Sequence, residues 1–340
     1  MQRENQEGDG GMMILFKILA GLALLIFASL LSLLYEGIDR IFHARMQSRL
    51  GPPLFQPFYD VLKLLGKENI VPRRAVAWAF NGAPWVAAAT ALMIVLYVPM
   101  GSLQPILGGH GDLILILYLL GLSAVAMAVG GFSSGSVYSN VGAQREMVLM
   151  MSYELPLAVV IASLAWFAYR SGMPGDPFSL ETYVGMSVWS VAGWTGSFGI
   201  LGLLIALLAV VPAETGKVPM DIAEAKTEIL EGLISEYSGR NLAMFKLAFS
   251  IRTLAMCAVV VSLFFPWSLG RLLGFQGVFF FVADFLFFWI KVLVVQVLGV
   301  TIIRTTFGRF KIWQASRLYW YQVGGLSLAG MVLLSLDVIL

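Results

Sequence analysis

The 340 residues are 59% hydrophobic and only 12% charged, with a formal net charge of +2. A soluble chain carries about 25% charged and about 45–50% apolar residues, so these values exclude a disordered chain and an ordinary water-soluble enzyme. They describe an integral membrane protein, since a helix crossing the bilayer core needs about 20 apolar residues. Cys257 is the one cysteine, and His43 and His110 are the two histidines. That set supplies no disulfide, no cysteine-ligated iron–sulfur cluster and no haem or zinc site within the chain. No phosphate-cradling Gly-rich loop and no hydrolytic triad is present either. The chain is expected to hold no metal and no cofactor of its own.

In chain order, the first apolar run covers 12–34, behind a tail carrying Arg3, Glu4, Glu7 and Asp9. A signal peptide would start basic and have a shorter core, so this run is read as a true span. Further runs cover 75–99, 112–132, 147–169, 188–211, 241–266, 278–303 and 318–340, which makes eight. Spans in lipid satisfy their own backbone, so all are expected to be helical, within one membrane domain covering 1–340. Basic residues gather in alternate loops: Arg40, Arg45, Arg49, Lys63, Lys67, Arg73 and Arg74; Arg145; Lys217, Lys226 and Arg240; Arg304, Arg309, Lys311 and Arg317. By the positive-inside rule that side is cytoplasmic, in a cell membrane crossed many times, with both termini outside.

Two cytoplasmic segments, 35–74 and 212–240, are longer than simple turns. The first places Leu54, Phe55, Phe58, Val61, Leu62 and Leu65 at helical spacing opposite Asp60, Lys63 and Lys67, after Pro52 and Pro53. Proline suits a helix start, and the pattern predicts an amphipathic helix lying in the membrane interface.

The second segment gathers Glu214, Asp221, Glu224, Glu228, Glu231 and Glu236. Asp221, Glu224, Glu228 and Glu231 fall at steps of three, four and three, which predicts one acidic helical face. Shielded from water, such carboxyls would share protons near neutral pH and form a relay. Solvated, they would be an exposed acidic helix. Inside the spans lie Glu154, beside Pro156, then Lys246, Arg252, Asp284 and Lys291, each costly in lipid and therefore a functional candidate. Asp284 and Lys291 stand seven apart on one face and could join helices. Lys17 can snorkel, and Asp112 and Asp337, near span ends, are expected to be solvated.

Three spaced motifs then point to a family. Ala213-Glu214-Thr215, Pro219-Met220-Asp221, Glu224-Ala225, Glu228 and Glu236-Tyr237-Ser238-Gly239 resemble the signature loop of the complex I subunit called H. Gly51-Pro52, Leu54, Gln56-Pro57, Asp60, Lys63 and Lys67-Glu68 resemble the same family's segment after its first span. Gln144-Arg145 and Ser152-Tyr153-Glu154-Leu155-Pro156 resemble its fourth span. The chain departs where Pro53 leads directly to Leu54, where Met220 replaces a phenylalanine and Lys226 a glutamate. It departs again at Gly308-Arg309-Phe310-Lys311-Ile312-Trp313-Gln314, which replaces a stretch that helps line the respiratory quinone region. This shortened version looks like the homologous membrane subunit, often called M, of group 4 membrane-bound [NiFe]-hydrogenases and archaeal sulfane sulfur reductases, complexes that use no membrane quinone.

The resemblance implies an anchor and coupling subunit of an energy-converting oxidoreductase, itself without catalytic residues. Glu214, Asp221, Glu224, Glu228, Glu231, Glu236 and Glu154 would serve proton relay or coupling. Arg40, Arg45, Arg49, Asp60, Lys63, Lys67 and Arg145 would dock a hydrophilic arm whose subunits hold Fe–S clusters and a nickel–iron centre. Antiporter-like membrane subunits would move H⁺ or Na⁺ alongside. A quinone-binding role of the respiratory kind is the alternative reading. A stand-alone transporter is remote, because the two halves show no internal repeat.

Overall fold

Hydrocarbon offers no hydrogen-bond partners, so an apolar chain of this kind satisfies its backbone within helices. The computed structural model describes residues 2–109 and 111–339, with side chains from residue 15; His110 and the side chains of Arg3, Glu4, Glu7 and Asp9 lie outside the described residues. Among the described residues there are helices and no strand beyond one isolated bridge between Met100 and Leu103.

Helix α1 (Gln2–Met46) is followed by α2 (Gln56–Leu65), α3 (Ala77–Tyr97), α4 (Asp112–Ser133) and α5 (Val137–Arg170). The short α6 (Leu180–Gly185) and α7 (Val188–Val191) precede α8 (Trp194–Glu214). Then come α9 (Lys226–Ile229), α10 (Gly239–Phe264), α11 (Leu269–Leu273) and α12 (Val278–Gln296). A π-helical turn over Val297–Ile302 carries α12 into α13 (Ile303–Thr306), and another over Leu318–Val323 joins α14 (Ile312–Arg317) to α15 (Gly324–Ile339). Counted through these turns, eight helices among the described residues are long and apolar enough to cross a membrane.

Helix α10 forms the centre: 89% of its most apolar stretch is buried, against 28% for the first helix and for the last two. It packs on α3, α1, α12 and α8, while α4 bridges α3 to α5 and α15 lies along α8. The last contact is close because Gly199 and Gly330 face each other's backbones, where added methyl groups would meet carbonyl oxygens at 2.9 and 3.0 Å.

Several boundaries differ from the apolar runs. The first helix continues to Met46, so the expected loop from residue 35 begins with three helical turns. Charge did not end the helix because the charges are paired: Glu36 takes Arg40 at 2.7 Å, and buried Asp39 takes Thr301 at 2.6 Å and Arg304 at 2.9 Å. Helix α5 begins at Val137, ten residues before the apolar run, because Ser139, Gly142 and Glu146 turn inward. Helix α2 has Pro57 in its first turn and exposes Tyr59, Leu62 and Leu65, with Phe55 exposed just before it.

Two acids expected in solvent are engaged. Asp112 is 1% exposed and accepts from the Ser179 hydroxyl at 3.0 Å. Asp337 accepts from the Gly193 amide at 2.9 Å and from Thr195 at 2.6 Å. It thereby caps α8 where the helix dipole favours a negative charge.

Candidate functional site

The segment after α8 is not one helix, which corrects the expected acidic face. Helix α9 is a single turn ending at Ile229; Leu230 and Glu231 take left-handed backbone conformations before a short 3₁₀ turn over Gly232–Ile234. Tertiary contacts replace the missing helical bonds. The Ser139 hydroxyl donates to the Leu233 carbonyl at 3.0 Å, and the Leu233 amide donates to Ala223 at 3.2 Å. A methyl group on Gly142 would stand 2.5 Å from the Leu233 nitrogen, so a side chain there would push the segment off α5. Tyr237 closes the far end, stacked on Phe80 at 4.1 Å and donating to the Phe80 carbonyl at 3.1 Å.

Folded this way, the acids meet different fates. Asp221 is clasped by the Arg309 guanidinium, whose Nε donates at 2.8 Å and whose second nitrogen closes a bidentate pair. The Asp221 carboxylate holds the Arg309 guanidinium above its ordinary value. Glu228 pairs with Arg145 at 2.6 Å and Glu231 with Lys226 at 2.8 Å, both at the surface. Glu236 is half-buried and lies outside both the inner void and the outer cleft described below. Glu214 and Glu224 turn toward the interior, where Asp221 borders the same inner void from within its clasp.

Glu214 closes α8 with 0% exposure, and its carboxylate faces the Tyr153 hydroxyl but among the described residues makes no hydrogen bond of regular geometry. Arg252, from the middle of α10, is 1% exposed, and none of its three guanidinium nitrogens is hydrogen-bonded. Its guanidinium carbon stands 5.8 Å from the centre of the Phe249 ring. Glu146, from the first turns of α5, is 5% exposed with one oxygen unpartnered, and the Tyr153 hydroxyl is likewise buried, its nearest charged neighbours including the Glu214 carboxylate. Arg252 lies within electrostatic reach of Glu214 and Glu146, and Tyr153 within reach of Glu214, Glu146, Arg252 and Glu154. Glu154 sits half-buried at the α4 surface, its carboxylate against Gly121. Buried polar atoms are nearly always satisfied, so a concentration of unpaired ones marks a place for water or a transferred ion.

This cluster reaches the surface. A small inner void lined by Glu146, Asp221, Glu224, Arg252 and Gly216 adjoins an outer cleft of about 240 Å³. Glu36, Arg40, Lys217, Glu224, Glu231 and Lys246 line the cleft, and Gly216, Glu224 and Phe249 belong to both spaces. Glu224 stands at the junction, and burial pushes its carboxyl up to about 7, with the nearby Glu146 carboxylate adding to the rise. Glu36, on α1, accepts from Arg40 and from the Ser250 hydroxyl.

Glu224→Gln is therefore expected to stabilise the protein above neutral pH. A carboxyl raised from 4.5 to about 7 on folding favours the protonated form; its contribution is full below 4.5 and is lost as pH rises through 7. Thermal unfolding should show the variant melting higher than the parent at pH 8 and equally at pH 4.5; an equal gain at both would refute the assignment.

The remaining candidates are dispersed. Arg40 joins the cleft to α2 through Asp60 at 2.7 Å, and that ion pair holds the Asp60 carboxyl below its usual value although its partial burial opposes the shift. Lys246 lines the cleft, whereas Arg45, Arg49, Lys63 and Lys67 are exposed around it. Asp284 and Lys291 do not join helices to each other. Asp284 is buried against the Ser268 hydroxyl and the Gly270 amide at 2.8 Å, and Lys291 donates to the Phe265 and Trp267 carbonyls at 2.6 and 2.8 Å. Both fasten the loop beyond α10, at the end of the bundle away from the cleft.

Sequence reasoning missed Glu146 and Glu36. Glu146 directly follows Arg145 in the third motif, and Glu36 stands four residues before Arg40, the spacing of a helical ion pair. Those signals were readable, but only burial separates them from surface charges.

Comparison with known proteins places this arrangement. Formate hydrogenlyase subunit 4 of Escherichia coli is 32% identical over 327 residues, covering 95% of this chain and 100% of that one. NADH-quinone oxidoreductase subunit 8 of Rhodothermus marinus is 30% identical over 329 residues, covering 94% of each. Among solved structures, a chain of the membrane-bound sulfane sulfur reductase, an archaeal respiratory membrane complex, superposes with a TM-score of 0.80 at 26% identity, covering 94% of this chain and 99% of that one. The family model described as NADH dehydrogenase matches residues 19–335, and with it the acidic segment, the Arg252 helix and the Glu146 helix; the chain belongs to that family.

Proposed function

We propose that this chain is the membrane anchor and coupling subunit of a multi-subunit energy-converting oxidoreductase in the cell membrane. The observation that carries the reading is the Glu214–Arg252–Glu146–Tyr153 cluster: four buried polar side chains, from three helices, with orphaned atoms and a charged path to the surface at Glu224. Carboxyls in such a place change protonation when a neighbouring charge changes, which is the property a coupling element needs. The ion pairs Asp221–Arg309, Glu228–Arg145 and Glu231–Lys226 then hold the segment in shape. The relay proper reduces to Glu214, Glu224, Glu146 and Glu154.

On this reading the face around Arg40, Arg45, Arg49, Lys63 and Lys67 receives hydrophilic subunits on the cytoplasmic side. Those subunits hold the Fe–S clusters and any nickel–iron centre, and antiporter-like membrane subunits flank the helices. The names of the hydrogenlyase and sulfane sulfur reductase relatives support such an assembly. The name of the Rhodothermus marinus relative supports a quinone-linked one. The cleft favours the first, because a ring of carboxylates and cations suits protons and hydrated ions, whereas ligand pockets for ring compounds are mostly apolar.

The test is Glu214→Gln in the assembled complex in sealed vesicles. Electron transfer to an artificial acceptor should stay near the parent rate while ion translocation is lost; translocation at the parent rate overturns the proposal. A quinone-site inhibitor that stops turnover would restore the quinone reading.

A further inference from the structure

We infer that the start of the last long helix holds the headgroup of an anionic phospholipid, on the same end of the bundle as the charged cleft. That end is set by the Phe310 amide, which donates to the Pro219 carbonyl, and by the Arg309–Asp221 clasp just before α14. Here Trp313, Ser316, Arg317, Trp320 and Tyr321 line an open groove of about 420 Å³. Among the described residues no carboxylate pairs with the exposed Arg317; its guanidinium carbon lies 5.2 Å from the centre of the Trp313 ring. Trp313, Trp320 and Tyr321 are 54, 50 and 75% exposed and stand around the groove's one cation.

Two features make the occupant a lipid. The groove combines an unpaired cation with indole and phenol rings, the residue types that settle at headgroup depth. It also continues into the uncovered face of α15, where Leu328, Val332 and Leu336 are exposed on a helix long enough to cross the bilayer. A phosphate on Arg317 would leave its acyl chains along that face, and the basic character of this end favours a net negative headgroup. The Ser152 and Ser316 hydroxyls, 3.1 Å apart, tie the floor of the groove to α5 and keep it open.

The experiment titrates the intact complex, delipidated in detergent, with phosphatidylglycerol or phosphatidylcholine, and counts retained lipid by native mass spectrometry. The parent should retain phosphatidylglycerol in preference to phosphatidylcholine by about fivefold, the scale of one cation beside a headgroup of net negative charge, and Arg317→Gln should abolish that preference. Arg317 is exposed and its guanidinium lies over the Trp313 ring at the surface, so a neutral polar side chain is accommodated there without disturbing the core. Equal retention of the two lipids by the parent, or an undiminished preference in the variant, overturns the inference. So does a partner subunit's helix seated against Trp313 in the assembled complex.

Discussion

Replacing Arg252 with methionine should abolish ion translocation and lower the stability of the membrane domain. The guanidinium is the positive charge facing Glu214 and Glu146, and it sits 1% exposed in the most buried helix of the bundle. Methionine keeps the volume and the apolar contacts, so the change isolates the charge. Carboxylates left without it cannot remain ionised in an apolar interior and must take up protons. The proposed relay would then be held in one protonation state. Because the guanidinium reaches both carboxylates only across space, without a direct hydrogen bond, the loss stays below the about 3–5 kcal/mol of breaking a contacting buried pair, and thermal unfolding of the purified complex would read it as a lower midpoint. Lysine at the same place should recover part of both losses, because the charge returns without the planar fork. Translocation at the parent rate in Arg252→Met would show that Glu214 and Glu146 do not depend on this cation.

The second large effect is expected at Arg309. Its guanidinium grips Asp221 through two nitrogens and reaches Thr227 at 3.3 Å, so one side chain ties the loop before α14 to the acidic segment. Arg309→Met leaves Asp221 half-buried and unpaired and frees the stretch between Gly216 and Glu231. The pair is partly open to solvent, at 24 and 16% side-chain exposure, so the cost is about 1–3 kcal/mol, below that of a fully buried pair. The informative measurement is limited proteolysis: cleavage should appear in the acidic segment of the variant while the long helices stay intact. Coupling should weaken too, since Glu224 is held by the same segment. A parent-like cleavage pattern would mean that the Ser139, Gly142 and Tyr237 contacts suffice to hold it.

The four loop acids show how far spacing could be read. Asp221, Glu224, Glu228 and Glu231 repeat at helical intervals, yet they end as a clasp, a titrating junction and two surface ion pairs. Spacing alone cannot separate these outcomes, because a helix of four residues costs about as much to nucleate as it gains, and distant partners then dictate the backbone. Arg309 and Arg145 lie about 80 residues away on either side, at sequence separations of 88 from Asp221 and 83 from Glu228. Arg252 is the opposite case: a cation in the middle of an apolar run is a functional candidate in any arrangement of the helices, and the structure puts it at the centre of the site. Asp112 and Asp337 misled because a position near a span end reads the same whether the side chain meets water or a hydroxyl from another loop.

The sequence by itself determined that the chain is a membrane protein, that its crossings are helical and about where they fall, and which motifs mark its family. These follow from the length of apolar runs, the density of charge and the order of short motifs, all properties of the chain taken in one dimension. Tertiary structure alone decided which of the scarce charges are buried without partners. Burial depends on which helix faces meet: Glu146 is hidden because α5 turns it toward α10, while its neighbour Arg145 pairs at the surface. Low charge density placed the protein in the bilayer, and the packing of α5, α8 and α10 selected the few charges that water does not reach.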